Sequence, residues 1–387
     1  MPKPQALSPT WTVLVGLLGL AAAMGIGRFA FTPLMPLMQA HSGLTLAQGG
    51  WLAAANYAGY LAGALLCMAL DPNPGASARA GLAAVALSTL AMAASSDFRL
   101  WLAWRFVAGA ASALVLVGIS AWALGRLERD ERAHWSGWVF AGVGIGILFA
   151  GLVCLVLAMR GTDSSTGWWL LGASAALIPA LTWSRLRGES AAHAGLGNGR
   201  FTADAWLLVI NYGIFGFGYI IPATFLPSLA RELVRDPAVF GWTWAAFGLA
   251  AAVSTVVASL ALRTAAPRRV WAVAQLVMAA GVVVPVFVAN AATLIFAAIA
   301  IGGTFMVVTM AGMQEARRIG GHAASRLIAA LTSAFAIGQL LGPIVVSVLS
   351  SSGHALNVAS IAAGVLLIAS AAALTASHRR RDMIYNA

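Results

Sequence analysis

Apolar residues occur along this chain in twelve long runs, separated by short polar segments. The runs are continuous, and each is near the length of about 20 residues that a helix needs to cross a bilayer core of about 30 Å. Strands of a membrane β-barrel would instead alternate apolar and polar positions. The pattern predicts twelve transmembrane helices, at residues 11–38, 45–70, 80–96, 100–125, 135–159, 167–184, 205–230, 237–262, 270–289, 291–314, 327–350 and 355–377.

The composition agrees with a membrane protein and excludes a soluble globular one. Of the 387 residues, 60% are hydrophobic and 9% are charged, and the mean hydropathy is +0.86. Roughly a quarter of the residues are charged in a soluble domain. Cys67 and Cys154 lie inside apolar runs, where a thiol behaves as a small hydrophobe. Neither a disulfide framework, a metal site nor a cofactor is therefore expected.

The basic residues are confined almost entirely to alternate connections between the runs. Of the 23 Lys and Arg, seventeen lie in the connections that begin with the amino terminus, four lie in the other set, and two lie inside runs. A net charge of +11 could indicate nucleic acid, but this partition is the positive-inside pattern of membrane proteins. We expect cytoplasmic termini, no nucleic acid partner and, from the Arg-rich and Lys-poor composition, a bacterial inner membrane.

The two halves of the chain share an internal repeat. A shift of 191 residues places five residues on identical ones, since Gly25, Gly27, Pro36, Gly50 and Trp51 fall on Gly216, Gly218, Pro227, Gly241 and Trp242. The longest polar stretch, between the sixth and seventh runs, is rich in glycine and typical of a flexible linker. We predict a six-helix half at 1–186, a cytoplasmic linker at 187–203 and a second six-helix half at 204–387. Parallel halves of this kind enclose a substrate site between them.

Arg28 and Arg105 are the two formal charges inside the runs, and no acidic residue lies within any run. A charge at membrane depth costs a few kcal/mol, so it usually faces a cavity or a partner. The guanidinium of Arg28 offers a planar fork of donors to an anionic or carbonyl-bearing ligand. In a structural alternative, a lipid headgroup or carbonyls exposed near Pro33 and Pro36 accept the hydrogen bonds of the Arg28 guanidinium. We expect Arg105 to gate the protein or to anchor a helix.

Tyrosines and amides of the second, seventh and eleventh runs are further candidates. Tyr60 shares a helix face with Asn56, and the repeat shift places Tyr219 at the position that corresponds to Arg28. Such side chains orient ligands and supply contact area, although tyrosine is also common at membrane interfaces. The predicted substrate-binding residues are Arg28, Asn56, Tyr60, Asn211, Tyr212, Tyr219 and Gln339. A buried amide more often forms an interhelical hydrogen bond, which is the role expected for Gln275.

Three segments carry recognisable motifs, namely Gly25 to Met38, Asn56 to Tyr60 and Gly216 to Tyr219. These motifs resemble the YbfB/YjiJ-like branch of the major facilitator superfamily, and the resemblance extends over essentially the whole chain. Arg105 to Gly109 is similar to the arginine motif of the superfamily's fourth helix, and residues 137–151 are similar to its glycine-rich hinge. The loop Asp71 to Arg79 departs from the superfamily signature, because it keeps only one acid and one base. A latch at this loop would be weaker or differently built.

The resemblance implies an all-α membrane protein with twelve transmembrane helices in two pseudo-symmetric halves, acting as a secondary transporter by alternating access. The expected partners are a small organic solute and the lipid bilayer, and the chain is expected to be a monomer. No phosphate-binding loop of the Gly-x-x-x-x-Gly-Lys type is present, which removes ATP as a direct energy source. Coupling to protons and the direction of transport stay open.

The glycine-rich fifth and eleventh runs are expected to form the moving parts. Small residues let helices pack closely, and rocking halves must also slide. The predicted gating and structural residues are Arg105, Gly142, Gly146, Gly338, Gly342 and Pro343, and alanine should be tolerated at the four glycines better than leucine. An enzyme is excluded because no run supplies His, Asp, Glu or a reactive Cys. A transporter-like sensor, which binds its ligand without moving it, is the remaining alternative.

Overall fold

The computed structural model describes residues 8–186, 201–233, 237–349 and 355–385, which form long helices joined by short turns. A π-helix, Ala21–Arg28, joins the first two α-helices, so that Pro9–Ser42 is one span of 34 residues. The α-helices are α1 (Pro9–Leu20), α2 (Phe31–Ser42), α3 (Leu46–Leu70), α4 (Pro74–Ala94), α5 (Phe98–Arg129), α6 (Ser136–Met159), α7 (Ser164–Thr182), α8 (Ala203–Leu233), α9 (Pro237–Ala261), α10 (Pro267–Phe287), α11 (Ala291–Gly320), α12 (Ala324–Leu349) and α13 (Ala355–Tyr385).

Eleven stretches in the described part of the chain are long and apolar enough to cross a membrane. The remaining predicted span corresponds to α7, which has 19 residues and packs against α4 within the bundle. Two tryptophans and several Ser and Thr residues lower its hydropathy. The predicted all-α, multi-pass membrane protein is therefore confirmed.

Polar residues between the runs start the helices by capping them. The side chain of Asn73 accepts a hydrogen bond from the backbone N–H of Ala76 at 3.0 Å, at the start of α4. Asp163 does the same for Thr166 at 2.9 Å, at the start of α7. These hydrogen bonds from Thr166 hold the pKa of Asp163 below its usual value. A side chain that satisfies a free N–H in this way stabilises a helix start by about 1 kcal/mol.

Several helices, α5 and α11 among them, extend further than the hydropathy pattern predicts. The fourth and tenth runs were expected to end at residues 125 and 314, where charges begin, but α5 continues to Arg129 and α11 to Gly320. Glu128 and Glu315 thus lie inside helices. Because α11 is about 45 Å long at 1.5 Å per residue, its last turns project beyond a 30 Å hydrocarbon core, where charged side chains are tolerated.

Helices of the first and second halves pack in corresponding pairs. α4 packs against α5 and α7, and α10 packs against α11 and α13. Gly109 of α5 lies against the backbone carbonyl of Asn56, and Gly302 of α11 lies against that of Phe247. The repeat shift relates Asn56 to Phe247, and Gly302 lies two residues beyond the position that corresponds to Gly109, so a similar close contact occurs in both halves. The predicted linker at 187–203 falls mostly outside the described residues, and the division there stays a prediction.

The two sets of helices meet along α6 with α9 and along α3 with α12. Gly144 of α6 faces the backbone of Gly248 and Ala252 in α9. A second contact lies at the end of the bundle where α5 and α11 finish, which we call the basic end. There Nη2 of Arg317 donates to Oε2 of Glu128 at 2.7 Å, which links α11 to α5.

The predicted hinge glycines lie within each half rather than between the halves. A methyl group at Gly142 or Gly146 would overlap the backbone carbonyls of Leu17 and Ala21, respectively. At Gly338 it would overlap the carbonyl of Gly213, whereas at Gly342 it would meet only the side chain of Ile220. Pro343 lies in α12, outside the residues whose side chains the structure describes. The role of all five residues in the transport cycle stays a prediction.

Alanine at Gly146 is expected to lower thermal stability, because its methyl group would meet backbone that has no room to move. Overpacking of this kind costs about 1–3 kcal/mol. Gly50→Ala is the matched control, since a methyl group there meets nothing within 4 Å. Thermal unfolding of both variants in detergent checks the prediction. Equal unfolding temperatures would mean that α6 and the π-helix separate without cost.

Candidate functional site

The first span is interrupted by the π-helix Ala21–Arg28 in the middle of its length. At its end, the backbone N–H of Phe29 donates to the carbonyl of Met24 at 3.0 Å, five residues back. Three residues further on, the backbone N–H of Thr32 donates to the carbonyl of Phe29 at 3.3 Å, and Pro33 has no N–H to donate. The carbonyl of Arg28 therefore receives no backbone hydrogen bond from residue 32 or residue 33, which lie four and five positions after it. Short π-helical stretches inside helices frequently mark functional sites.

Arg105 of α5 supplies hydrogen bonds to this distorted segment. Its Nη1 donates to the carbonyl of Gly27 at 3.2 Å, and its Nη2 donates to that of Arg28 at 3.3 Å. Ser112, two turns further along α5, donates to the carbonyl of Ala23 at 2.7 Å. The contacts of Arg105 are thus to backbone, and they fit the helix-anchoring alternative that the sequence suggested.

Arg28 is buried at the centre of the bundle, with 3% of its surface exposed. Its guanidinium lies 3.8 Å from the ring centroid of Tyr60 and 5.7 Å from that of Phe335. Its Nη2 donates to Oε1 of Gln339 in α12, across the contact between the two halves. Its Nε and Nη1 have no hydrogen-bond partner in the described part of the protein. The structure therefore brings Arg28, Tyr60 and Gln339 together, and their role in substrate binding stays a prediction.

Aromatic side chains of the second half complete the surroundings of Arg28. Tyr219 stacks on Phe305 at a centroid distance of 5.3 Å and on Phe335 at 6.1 Å. Phe335 thus lies between Tyr219 and Arg28, and the hydroxyl of Tyr219 is buried without a partner among the described residues. Tyr212 packs edge-on against Trp271 at 5.6 Å and contacts Phe335 at 5.7 Å. The centre is an arginine enclosed by aromatic rings.

The two predicted asparagines make contacts inside their own halves. Asn56 donates to the backbone carbonyl of Arg105 at 3.0 Å, which ties α3 to α5, while its Oδ1 is left without a partner. Asn211 donates to the carbonyl of Leu207 at 2.7 Å and accepts from Ser370 of α13. Ser370 also donates to Gln275 at 3.1 Å, the interhelical role expected for that amide. A part for either asparagine in substrate binding stays a prediction.

A buried group of charges at the basic end was not predicted. Arg268 of α10 donates to Glu315 of α11 at 2.6 Å and to Asp204 of α8 at 2.5 Å, and neither Arg268 nor Glu315 has an exposed side chain. Arg318 donates to the same glutamate at 2.8 Å. The hydropathy pattern places these residues in connections between the runs, and the helical extension of α11 is what buries Glu315. The aromatic partners Phe29, Phe305 and Phe335 were likewise missed, because an apolar residue in an apolar run carries no signal.

Long helices packed as two similar sets around a buried polar centre form the architecture of major facilitator transporters. Residues 20–375 match the family described as "Uncharacterised MFS-type transporter YbfB". The chain therefore belongs to this family of membrane transporters, which confirms the resemblance seen in the sequence and the assignment as a transporter rather than an enzyme.

A solved structure of similar fold is that of the human organic anion transporter MFSD10 (TETRAN). The two chains are 14% identical, with a TM-score of 0.76, and the match covers 95% of this chain and 100% of the other. At this identity the similarity shows the fold alone. No curated protein sequence matches the chain.

Proposed function

We propose that this chain moves a small organic anion across the membrane by alternating access. The observation that carries the proposal is the set of unpaired atoms at the buried centre. Within the described residues they include Nε and Nη1 of Arg28, Nε2 of Gln339 and the hydroxyl of Tyr219. Each can donate a hydrogen bond, so a ligand that fits there supplies acceptors. The buried positive charge of Arg28 favours an anionic one.

The surroundings of Arg28 support an organic rather than an inorganic anion. The guanidinium lies on the face of Tyr60, and the rings of Phe29 and Phe335 lie at 5.5 and 5.7 Å. Ligand sites of this kind hold the polar end of a solute with a few donors and its apolar body against aromatic rings. MFSD10 is described as an organic anion transporter, which agrees with this class of substrate.

Alternating access is supported by where the halves touch. Arg28 and Gln339 lie on opposite sides of the contact between halves, and the pair Arg317 and Glu128 closes the same contact at the basic end. Opening that end would break the second pair. Rocking of one half against the other around a central site is the motion known for this architecture.

For the orientation, we propose a bacterial inner membrane with the basic end and both termini in the cytoplasm. The support is the charge partition, in which basic residues concentrate in alternate connections. Reporter fusions at Arg129 and Arg268 should report the cytoplasm, and those at Arg99 and Arg160 the other side. A fusion after residue 187 that reports the periplasm would contradict the two-half arrangement.

The function is tested by flux into vesicles of phosphatidylethanolamine and phosphatidylglycerol that contain the purified chain. Carboxylates are compared with neutral amides of the same shape, with and without a pH gradient. We expect saturable flux of at least one carboxylate and none of its matched amide. Dependence on the pH gradient would show proton coupling. Binding without flux would favour the sensor, and flux of neutral solutes alone would contradict the proposal.

A further inference from the structure

Gln339 makes a contact that is unusual for a ligand-binding amide, because its oxygen is already engaged. Its Oε1 accepts from Nη2 of Arg28, although the residues are 311 positions apart, and its Nε2 is buried without a partner in the described part of the chain. The planar end of a glutamine side chain has nearly the size and shape of a carboxylate. The contact therefore places a neutral analogue of a carboxylate on the arginine.

The atom that Gln339 engages matters for how Arg28 can bind an anion. A guanidinium binds a carboxylate with two parallel N–H bonds along either of two edges, one formed by Nε and Nη2 and the other by Nη1 and Nη2. Nη2 belongs to both edges and supplies a different one of its two N–H groups to each. The oxygen of Gln339 therefore occupies one of the two edges, while Nε and Nη1 are left unpaired among the described residues.

We infer that Gln339 is an internal occupant of the anion position and that a substrate carboxylate displaces its amide oxygen from Nη2 of Arg28. The inference rests on the proposed function, since it concerns the same site. A hydrogen bond to a charged acceptor is roughly twice as strong as one to a neutral acceptor. A carboxylate therefore displaces the amide, whereas a neutral carbonyl competes with it on equal terms. Gln339 in this way lowers the affinity of every ligand that displaces it, and only a charged acceptor gains more from Arg28 than the displacement costs.

The displacement also connects binding to movement of the halves. Arg28 belongs to the first half and Gln339 to the second, so their hydrogen bond is a link across the contact between halves. When a carboxylate takes the place of the amide, this direct link is replaced by one through the ligand. A solute that is unable to displace Gln339 leaves the link in place.

The test measures equilibrium binding of benzoate and of benzamide, its uncharged match, to the purified full-length chain. Gln339→Met removes the carbonyl while keeping an unbranched side chain of similar length. We expect benzamide to bind to Gln339→Met about 2- to 10-fold more tightly than to wild type. This factor corresponds to the free energy of one neutral hydrogen bond. Benzoate should also bind more tightly to this variant, because it no longer has to displace the amide. Gln339→Glu places a permanent carboxylate on Arg28 and should weaken benzoate binding by at least about 10-fold.

Gln275→Met is the matched control, because Gln275 is a buried amide of the same half that hydrogen-bonds Ser370 rather than Arg28. Its affinities should equal those of wild type, and thermal unfolding of every variant checks that it is folded. If Gln339→Glu does not fold, the Met variant alone decides. Benzoate binding that depends on Arg28 but is unchanged or weaker in Gln339→Met overturns the inference and leaves the proposed function intact. If benzoate, phenylacetate and hexanoate bind neither wild type nor Gln339→Met, the proposed anion site itself fails.

Discussion

Arg28→Ala is expected to lower the affinity for a bound carboxylate by about 10- to 150-fold, because a hydrogen bond to a charged group is worth about 1.5–3 kcal/mol. Arg28→Lys keeps the charge but loses the planar fork, so its affinity should fall between those of wild type and the alanine variant. Binding of benzoate or another identified carboxylate to purified protein, measured by calorimetry, gives both values. Thermal unfolding of each variant checks that it is folded.

The control for charge alone is Arg160→Ala. Arg160 is an exposed arginine that follows α6, so its removal changes the net charge by the same amount without touching the centre. We expect wild-type affinity. If Arg28→Ala also binds with wild-type affinity, Arg28 has a purely structural role and the anion must bind elsewhere.

Glu315→Gln is expected to destabilise the protein by about 3 kcal/mol, because it leaves the buried charge of Arg268 with one carboxylate in place of two. Breaking a buried ion pair from one side costs about 3–5 kcal/mol. The lower end applies here, since Asp204 still accepts from Arg268 at 2.5 Å and is partly exposed. Denaturant unfolding in detergent, followed by tryptophan fluorescence, measures the change in free energy.

Glu128→Gln is the matched substitution for this prediction. Glu128 also pairs with an arginine at the basic end, but 62% of its side chain is exposed. Exposed pairs contribute about 0–1 kcal/mol, so the loss should be small. The double variant Glu315→Gln with Arg268→Met also removes the buried charge of Arg268, which has lost one of its two carboxylates, and should recover stability. Equal losses for the two glutamates would mean that water reaches Arg268 in solution.

Most of the fold was predictable, because the need to bury apolar runs in a bilayer determines where helices form. The ends of the helices were less predictable. An apolar run ends at its first charged residue, whereas α5 and α11 continue beyond that residue and out of the hydrocarbon core. Hydropathy reports the solvent around a residue and not its backbone hydrogen bonds. Glu315 was missed for this reason, since only the packing of α8, α10 and α11 shows that it is enclosed.

The centre was predictable in part. An arginine in an apolar run is conspicuous, the repeat directed attention to Tyr219, and helical spacing placed Tyr60 on one face with Asn56. The pairing of Arg28 with Gln339 depends on how two halves dock, and no local pattern contains that information. The phenylalanines around Arg28 were invisible because nothing distinguishes them from lipid-facing ones. Asn211 shows the opposite case. It is a polar residue at the depth expected for the site, but its side chain hydrogen-bonds Leu207 and Ser370 in its own half.

The π-helix Ala21–Arg28 also makes segment length a determinant of the site. Each of its turns takes in more residues than an α-helical turn, so the residues on its two sides are out of step with those of an unbroken α-helix. One residue corresponds to about 100° of rotation around a helix axis. An unbroken α-helix of the same sequence would therefore turn the guanidinium of Arg28 away from Gln339, although every residue that contacts it would be unchanged.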